Sequence, residues 1–164
     1  MVLDFCSGGE LFFHISKNKR FHEMSAKYYF AELVLAIEHL HDHNIVYRDL
    51  KPENVLIDDD GHIRITDFGL AKPNFYPAST SDSFCGSPEY MSPEMLKQHA
   101  HGRAVDFYSM GAILYEMLTG LPPFYHTDRR VLYRNILKQE LRFPSFVSSQ
   151  AQSLISALLN RESS

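Results

Sequence analysis

The sequence predicts a mainly α domain that carries one small β-hairpin. Three observations predict it: apolar residues recur at helical spacing over several long stretches, one Asp-Gly step lies between two short β-prone runs, and no internal repeat or low-complexity tract interrupts the 164 residues. That length buries one sizeable core and is too short to expect two. Sixteen Lys and Arg against twenty Asp and Glu give a formal net charge of −4, which supplies no broad attraction for nucleic acid or anionic lipid. The longest apolar stretches, such as residues 112–115, fall far short of the roughly 18 residues of a membrane span. Asp4 follows Met1-Val2-Leu3 with no basic flank, so no secretory signal is expected. Two cysteines, Cys6 and Cys85, cannot build a disulfide framework, and a reducing, cytoplasmic setting is the expectation, with nuclear access left open.

Taken in order, Met1 to Phe5 reads as a strand, Ser7-Gly8-Gly9 as a turn and Glu10 to Ile15 as a short helix. From Glu23 to His43, the apolar residues Phe30, Leu33, Val34, Ile37 and Leu40 share one helical face. Ile45-Val46-Tyr47 is a short β-prone run, and Pro52 makes Arg48 to Asn54 a loop. Val55-Leu56-Ile57 and Ile63 to Thr66 flank Asp58-Asp59-Asp60-Gly61, whose Asp-Gly step favours a tight turn between antiparallel strands. Residues 71–88 are rich in Pro, Ser and Thr and show little periodicity. Long irregular segments in compact domains are usually functional or disordered, and the hydroxyls here predict a regulatory loop. Pro93 opens a short helix. Val105 to Leu118 is apolar on nearly every side, which assigns it to the core, and it stops at Gly120 before Pro122-Pro123. Two amphipathic helices follow, Asp128 to Lys138 and Ser149 to Leu159, with Thr127 and Ser148 as N-cap candidates.

Chemistry concentrates in one loop. Arg48-Asp49-Leu50-Lys51-Pro52-Glu53-Asn54 brings a carboxylate, an ammonium and an amide together, and the hairpin that follows runs into Asp67-Phe68-Gly69. Asn54 and Asp67 offer hard oxygens of the kind Mg²⁺ takes alongside substrate phosphates. Lys51 can spread its charge over a transferring phosphoryl group, and Asp49 can orient an attacking hydroxyl. Phosphoryl transfer from a metal-bound nucleotide is the implied reaction. The nine histidines show no metal-ligand spacing, so no zinc site is expected.

These motifs, with Ser92-Pro93-Glu94 downstream and successive steps of 5, 13 and 27 residues from Asp49 to Asn54, Asp67 and Glu94, resemble the C-terminal lobe of a eukaryotic protein kinase. The likeness extends to Val105 to Gly111, similar to the buried central helix of that family, and covers essentially the whole chain. Tyr47 stands where most kinases have His. Phe84-Cys85-Gly86-Ser87-Pro88-Glu89-Tyr90, Gly8-Gly9-Glu10-Leu11-Phe12 and Leu121-Pro122-Pro123-Phe124-Tyr125 resemble the AGC group, in the neighbourhood of the SGK, Akt and ribosomal S6 kinases.

The resemblance implies a role for each matching residue. Asp49 matches the catalytic base, Lys51 the γ-phosphate contact, and Asn54 and Asp67 the Mg²⁺ ligands. Asp4 and Cys6 match hinge positions that bond the adenine of ATP through their backbone, Leu56 the apolar floor, Thr66 the flank of the ring, and Glu10 the far edge of the nucleotide site. Ser83 matches the activation-loop phosphosite, acted on by an upstream kinase, and Arg48 and Lys72 its cationic partners. Ser87 matches the hydroxyl beside the catalytic Asp. Glu10, Glu53 and Glu116 match acidic positions that recognise basic residues near the target Ser or Thr, although each could instead be a solvated acid. The Gly-rich loop and the strand Lys of the N-terminal lobe find no match between Met1 and Ser164, so the likeness implies a partial kinase domain, truncated at both ends, that binds ATP weakly by itself. Glu94 is expected to lack its usual buried Arg, because Arg161 does not align with it. A fragment that only binds partners is the alternative reading.

Overall fold

The computed structural model describes residues 5–161. Asp4 and most of the expected opening strand lie outside them. Among the described residues six α-helices and a three-stranded sheet form around one main core. The helices are α1 (Leu11–Asn18), α2 (Glu23–Asp42), α3 (Pro93–Leu96), α4 (Ala104–Thr119), α5 (Arg129–Lys138) and α6 (Ser149–Leu158). The strands are β1 (Gly9–Glu10), β2 (Val55–Ile57) and β3 (Ile63–Ile65), antiparallel in that order. No described helix is long and apolar enough to cross a membrane.

The expected hairpin is thus a three-stranded sheet, and Gly9 and Glu10 belong to strand rather than to turn and helix. Gly9 pairs with Ile57 and Glu10 with Leu56, anchored by the Gly8 N–H on Ile57 O at 3.0 Å. Close approach decides this pairing, since a Cβ on Gly8 would lie 2.6 Å from that same oxygen. The hairpin is docked on α2 through Glu32, whose carboxylate accepts from the Ile63 N–H at 2.9 Å and meets His62 Nδ1 at 2.5 Å.

Helix α2 buries Ala26, Phe30, Leu33, Ile37 and His41. Val34, expected on that face, is 37% exposed, because the 3.6-residue period carries it one step past the stripe. Helix α4 is buried over most of its length, as its all-round apolarity predicts. The side chains of Ser148 and Asp128 cap α6 and α5. Asp128 therefore takes the place expected for Thr127, its Oδ1 accepting from Arg130 and Val131 N–H at 2.8 and 3.2 Å. A second, smaller core of Val46, Phe75, Met91, Met95 and Val105 lies under the 71–88 segment, with Cys85 half-buried against it. That segment is irregular, as expected, and is held by two isolated bridges, Val46 to Lys72 and Ser81 to His101. Glu94 is half-buried and joins no ion pair among the described residues.

Candidate active site

The Arg48 to Asn54 loop crosses between α2 and β2 and is fastened from below by α4. Asp106, fully buried in the first turn of α4, accepts from the backbone N–H of Tyr47 at 2.9 Å and of Arg48 at 2.8 Å, and meets His41 Nε2 at 2.7 Å. A non-glycine residue at positive φ is uncommon and needs outside support. Arg48 sits at φ +70°, and its bond to Asp106 supplies that support. Sequence reasoning gave Asp106 no role. One acid inside an otherwise apolar helix was the available signal, since a carboxylate there must find donors.

Above this anchor four polar side chains converge. Asp49, 9% exposed, accepts at Oδ1 from the Ser87 N–H at 2.9 Å and the Ser87 hydroxyl at 3.0 Å. Lys51 Nζ donates to Ser87 Oγ at 2.9 Å and lies 3.3 Å from Asp49 Oδ2. Asn54 Nδ2 donates to the Asp49 carbonyl at 3.0 Å and to Oδ2 at 3.4 Å, which leaves its Oδ1 as the donor oxygen. Gly86 makes the Ser87 contact feasible: it adopts φ +102°, and a Cβ there would stand 2.7 Å from Arg48 O. Asp67 is also at positive φ, +56°, with Oδ1 holding its own turn through the Gly69 N–H at 3.1 Å. It is exposed and sits one residue beyond the Thr66 N–H bond to Asn54 O at 2.9 Å. Tyr47 braces this corner from the interior, its hydroxyl donating to Thr66 O and to Asp67 O. Burial pushes the Tyr47 phenol well above its ordinary value, so it is a donor throughout the accessible pH range. Among the described residues no group of three His, Cys, Asp or Glu side chains is arranged to hold a metal. A cation at Asn54 and Asp67 therefore needs further oxygens from a bound phosphate chain.

Two cavities are lined by residues expected at the site, and only the second includes members of the knot. Cys6, Leu56 and Thr66 line one of about 500 Å³, with Phe5, Arg64 and Ile65. Lys51, Glu53, Ser87 and Glu116 line another of about 390 Å³, together with Glu89 and Tyr90. The two share no lining residue. Glu10 is exposed on β1 and outside both, so the expected acidic set is divided, and Glu89, which sequence reasoning passed over, joins Glu53 and Glu116. Glu116 is not a solvated acid: it is 3% exposed and accepts from the Tyr90 hydroxyl at 2.6 Å. Burial pushes its carboxyl up to about 7, against the lowering effect of that bond and with the Glu53 and Glu89 charges adding to it. Among the described residues one buried carboxylate oxygen of Glu53 has no hydrogen-bond partner.

In the 71–88 segment Ser83 is exposed and Ser81 buried. Arg48 Nη1 donates to Ser81 Oγ at 3.4 Å, and Ser81 Oγ donates to Ser83 Oγ at 3.1 Å. Lys72 is turned elsewhere, its backbone paired with Val46 and its ammonium 5.6 Å from the centre of the Phe75 ring.

The protein kinase domain family matches residues 1–164. Protein kinase 2 of Dictyostelium discoideum is 55% identical over 99% of this chain and 34% of its own length. The human serine/threonine-protein kinase Sgk2 is 50% identical over 98% of the chain and 44% of its own, and the human RAC-beta serine/threonine-protein kinase 47% identical over 98% and 34%. The chain thus spans between about a third and just under a half of these relatives.

Proposed function

The chain belongs to the protein kinase family, which uses ATP and Mg²⁺ and acts on proteins, and on that premise we propose that it carries the phosphoryl-transfer and peptide-binding lobe of a serine/threonine kinase with basic substrates. The observation that carries the reading is the knot of Asp49, Lys51, Asn54 and Ser87, in which a buried carboxylate and an ammonium 3.3 Å apart share one hydroxyl. The mainly helical body, with its loop fastened to a buried central helix, supports assignment to the C-terminal lobe.

Bound MgATP supplies the γ-phosphoryl group. Asp49 would orient the substrate Ser or Thr hydroxyl and take its proton as the oxygen to γ-phosphorus bond forms and the bond from that phosphorus to the bridging oxygen breaks, with ADP leaving. Lys51 offsets charge on the transferring group, and Asn54 and Asp67 present oxygens to Mg²⁺. Leu56, Thr66 and Cys6 line the adenine side, with Asp4 ahead of them. Glu53, Glu89 and Glu116 receive a basic side chain of the peptide, with Glu10 a separate acidic contact beyond that cavity. Ser83 is the acceptor for an upstream kinase, and Arg48 the cation nearest to pair with its phosphate; Lys72 would have to leave Phe75 to join it.

A radiolabelled phosphate-transfer assay on a basic Ser peptide, run on the chain and on Asp49→Ala, tests this. Loss of a positioned base costs about 10²- to 10⁴-fold, so transfer should fall by at least that lower figure, and ATP binding should be weak in both. Transfer that persists in Asp49→Ala would sink the reading. A second reading, a module that binds basic segments without transfer, is favoured by the separation of the two cavities, and saturable peptide binding with no Asp49-dependent transfer would select it.

A further inference from the structure

The link between α1 and α2 carries a basic stretch in this acidic chain, as does α5 with Arg129, Arg130, Arg134 and Lys138. Lys17, Lys19, Arg20 and Lys27 lie within eleven residues, with Glu23 the one acid among them. None of the four cations is in an ion pair among the described residues. Glu23 is occupied, accepting from the Ser148 hydroxyl at 2.6 Å. Beside these charges opens a cavity of about 600 Å³, with the buried Leu118 and Val147 and half-buried Phe21 as its floor and the exposed Arg20, Lys27 and Met24 at its rim; Glu23 also lines it. Two of its apolar edges face solvent: Met24 is 70% and Phe146 53% exposed. The Arg20 guanidinium lies 3.7 Å from the centre of the Phe146 ring, a stacking that fixes the charge at the mouth of the cavity. None of these residues lines either cavity of the active site.

We propose that this face is a docking site for an acidic peptide segment that carries one large apolar side chain. The apolar floor accepts that side chain, and Arg20 and Lys27 at the rim accept flanking carboxylates. The shape distinguishes the partner from a membrane. An anionic bilayer is engaged by cations and apolar groups that protrude; Met24 and Phe146 are exposed at the edges here, but Leu118 and Val147 are each only 5% exposed, a recess that a single side chain fits and a bilayer surface does not reach. The net charge of −4 disfavours a nucleic acid, which would need a broad basic surface. The site is independent of the phosphoryl-transfer reading, because no residue is shared.

Fluorescence anisotropy of a labelled Asp-Glu-Phe-Asp-Glu peptide, titrated with the full chain, tests it. Saturable binding is expected, weakened by salt. Arg20→Glu with Lys27→Glu should weaken it about tenfold or more, by placing like charges opposite the peptide. Replacing the peptide Phe by Ala should also weaken it by about tenfold, from the lost apolar burial. All these side chains are exposed, and an unchanged circular dichroism spectrum verifies the fold of the variant. Binding should survive Asp49→Ala. Absent binding, binding indifferent to the charge reversals, or equal binding of the Ala peptide would each overturn the proposal. So would binding of the chain to phosphatidylserine vesicles without binding of the peptide, which would assign the face to lipid.

Discussion

Ser87 Oγ accepts from Lys51 and donates to Asp49, so one hydroxyl serves both members of an ion pair that also closes directly at 3.3 Å. The same economy holds at Glu116, whose raised pKa makes recognition depend on pH. A carboxyl near 7 when folded and at its ordinary 4.5 when unfolded keeps its proton in the fold while the unfolded chain releases it. Stability is therefore lost as pH rises from 4.5 to 7 and is level above that window. Glu116→Gln should remove roughly 1–3 kcal/mol of that decline, read by urea denaturation at either end of the window. Basic-peptide affinity should rise with pH through 7 in the parent chain and not in the variant; an unchanged pH profile would contradict the assignment. At Asp106, Ala substitution would leave two buried N–H groups and His41 without their acceptor. It should cost about 3–5 kcal/mol by denaturant unfolding, and a loss under 1 kcal/mol would argue against its anchoring role. Asp67 makes no hydrogen bond or ion pair with Asp49 or Asn54 among the described residues, its Oδ1 accepting from the Gly69 N–H, whereas the contact of Asp49 with Asn54 was legible from their closeness in one loop. Asp106, Glu89 and the burial of Glu116 were not, since each depends on a partner remote in sequence.

At the scale of elements, the 71–88 segment behaves as a strap tied at Lys72 and again at Ser81. Its bridges to Val46 and His101 fix the path, and the chain of contacts from Arg48 through Ser81 brings Ser83 under a cation. A phosphate on Ser83 adds about −1.5 to −2 charge, which Arg48 can pair. Limited proteolysis should then cut the strap several-fold more slowly after phosphorylation, and Arg48→Ala should abolish the difference. If phosphorylated and unmodified chains are cut at equal rates in the parent protein, Arg48 is not the partner. Gly86→Ala should lower transfer by about tenfold or more through strain at positive φ, with the melting temperature nearly unchanged. A wholesale loss of folding would instead make Gly86 structural. The two-residue strand β1 escaped prediction for a plain reason. Its pairing is set by the backbone contact of Gly8 with Ile57, almost fifty residues away, and carries no periodicity of its own.

Over the whole molecule, the apolar pattern of α2 and α4 announced the main core, because helical period and burial coincide there. The smaller core under the strap was hidden, since Val46, Phe75 and Met91 come from segments with no regular period. Net charge also concealed an arrangement: acids gather at the Glu53, Glu89 and Glu116 cavity, cations at the link between α1 and α2 and along α5. The anchor at Asp106 joins these scales. Because its carboxylate holds the Tyr47 and Arg48 amides from within α4, those two hydrogens can be released to solvent only when the central helix itself comes apart. In heavy water they should exchange as slowly as the amides of α4, although they belong to a loop. Exchange at ordinary loop rates would refute that coupling. A slow-exchanging pair of loop amides would serve as a clock for the integrity of the active site, and would register its loss before any substrate is added.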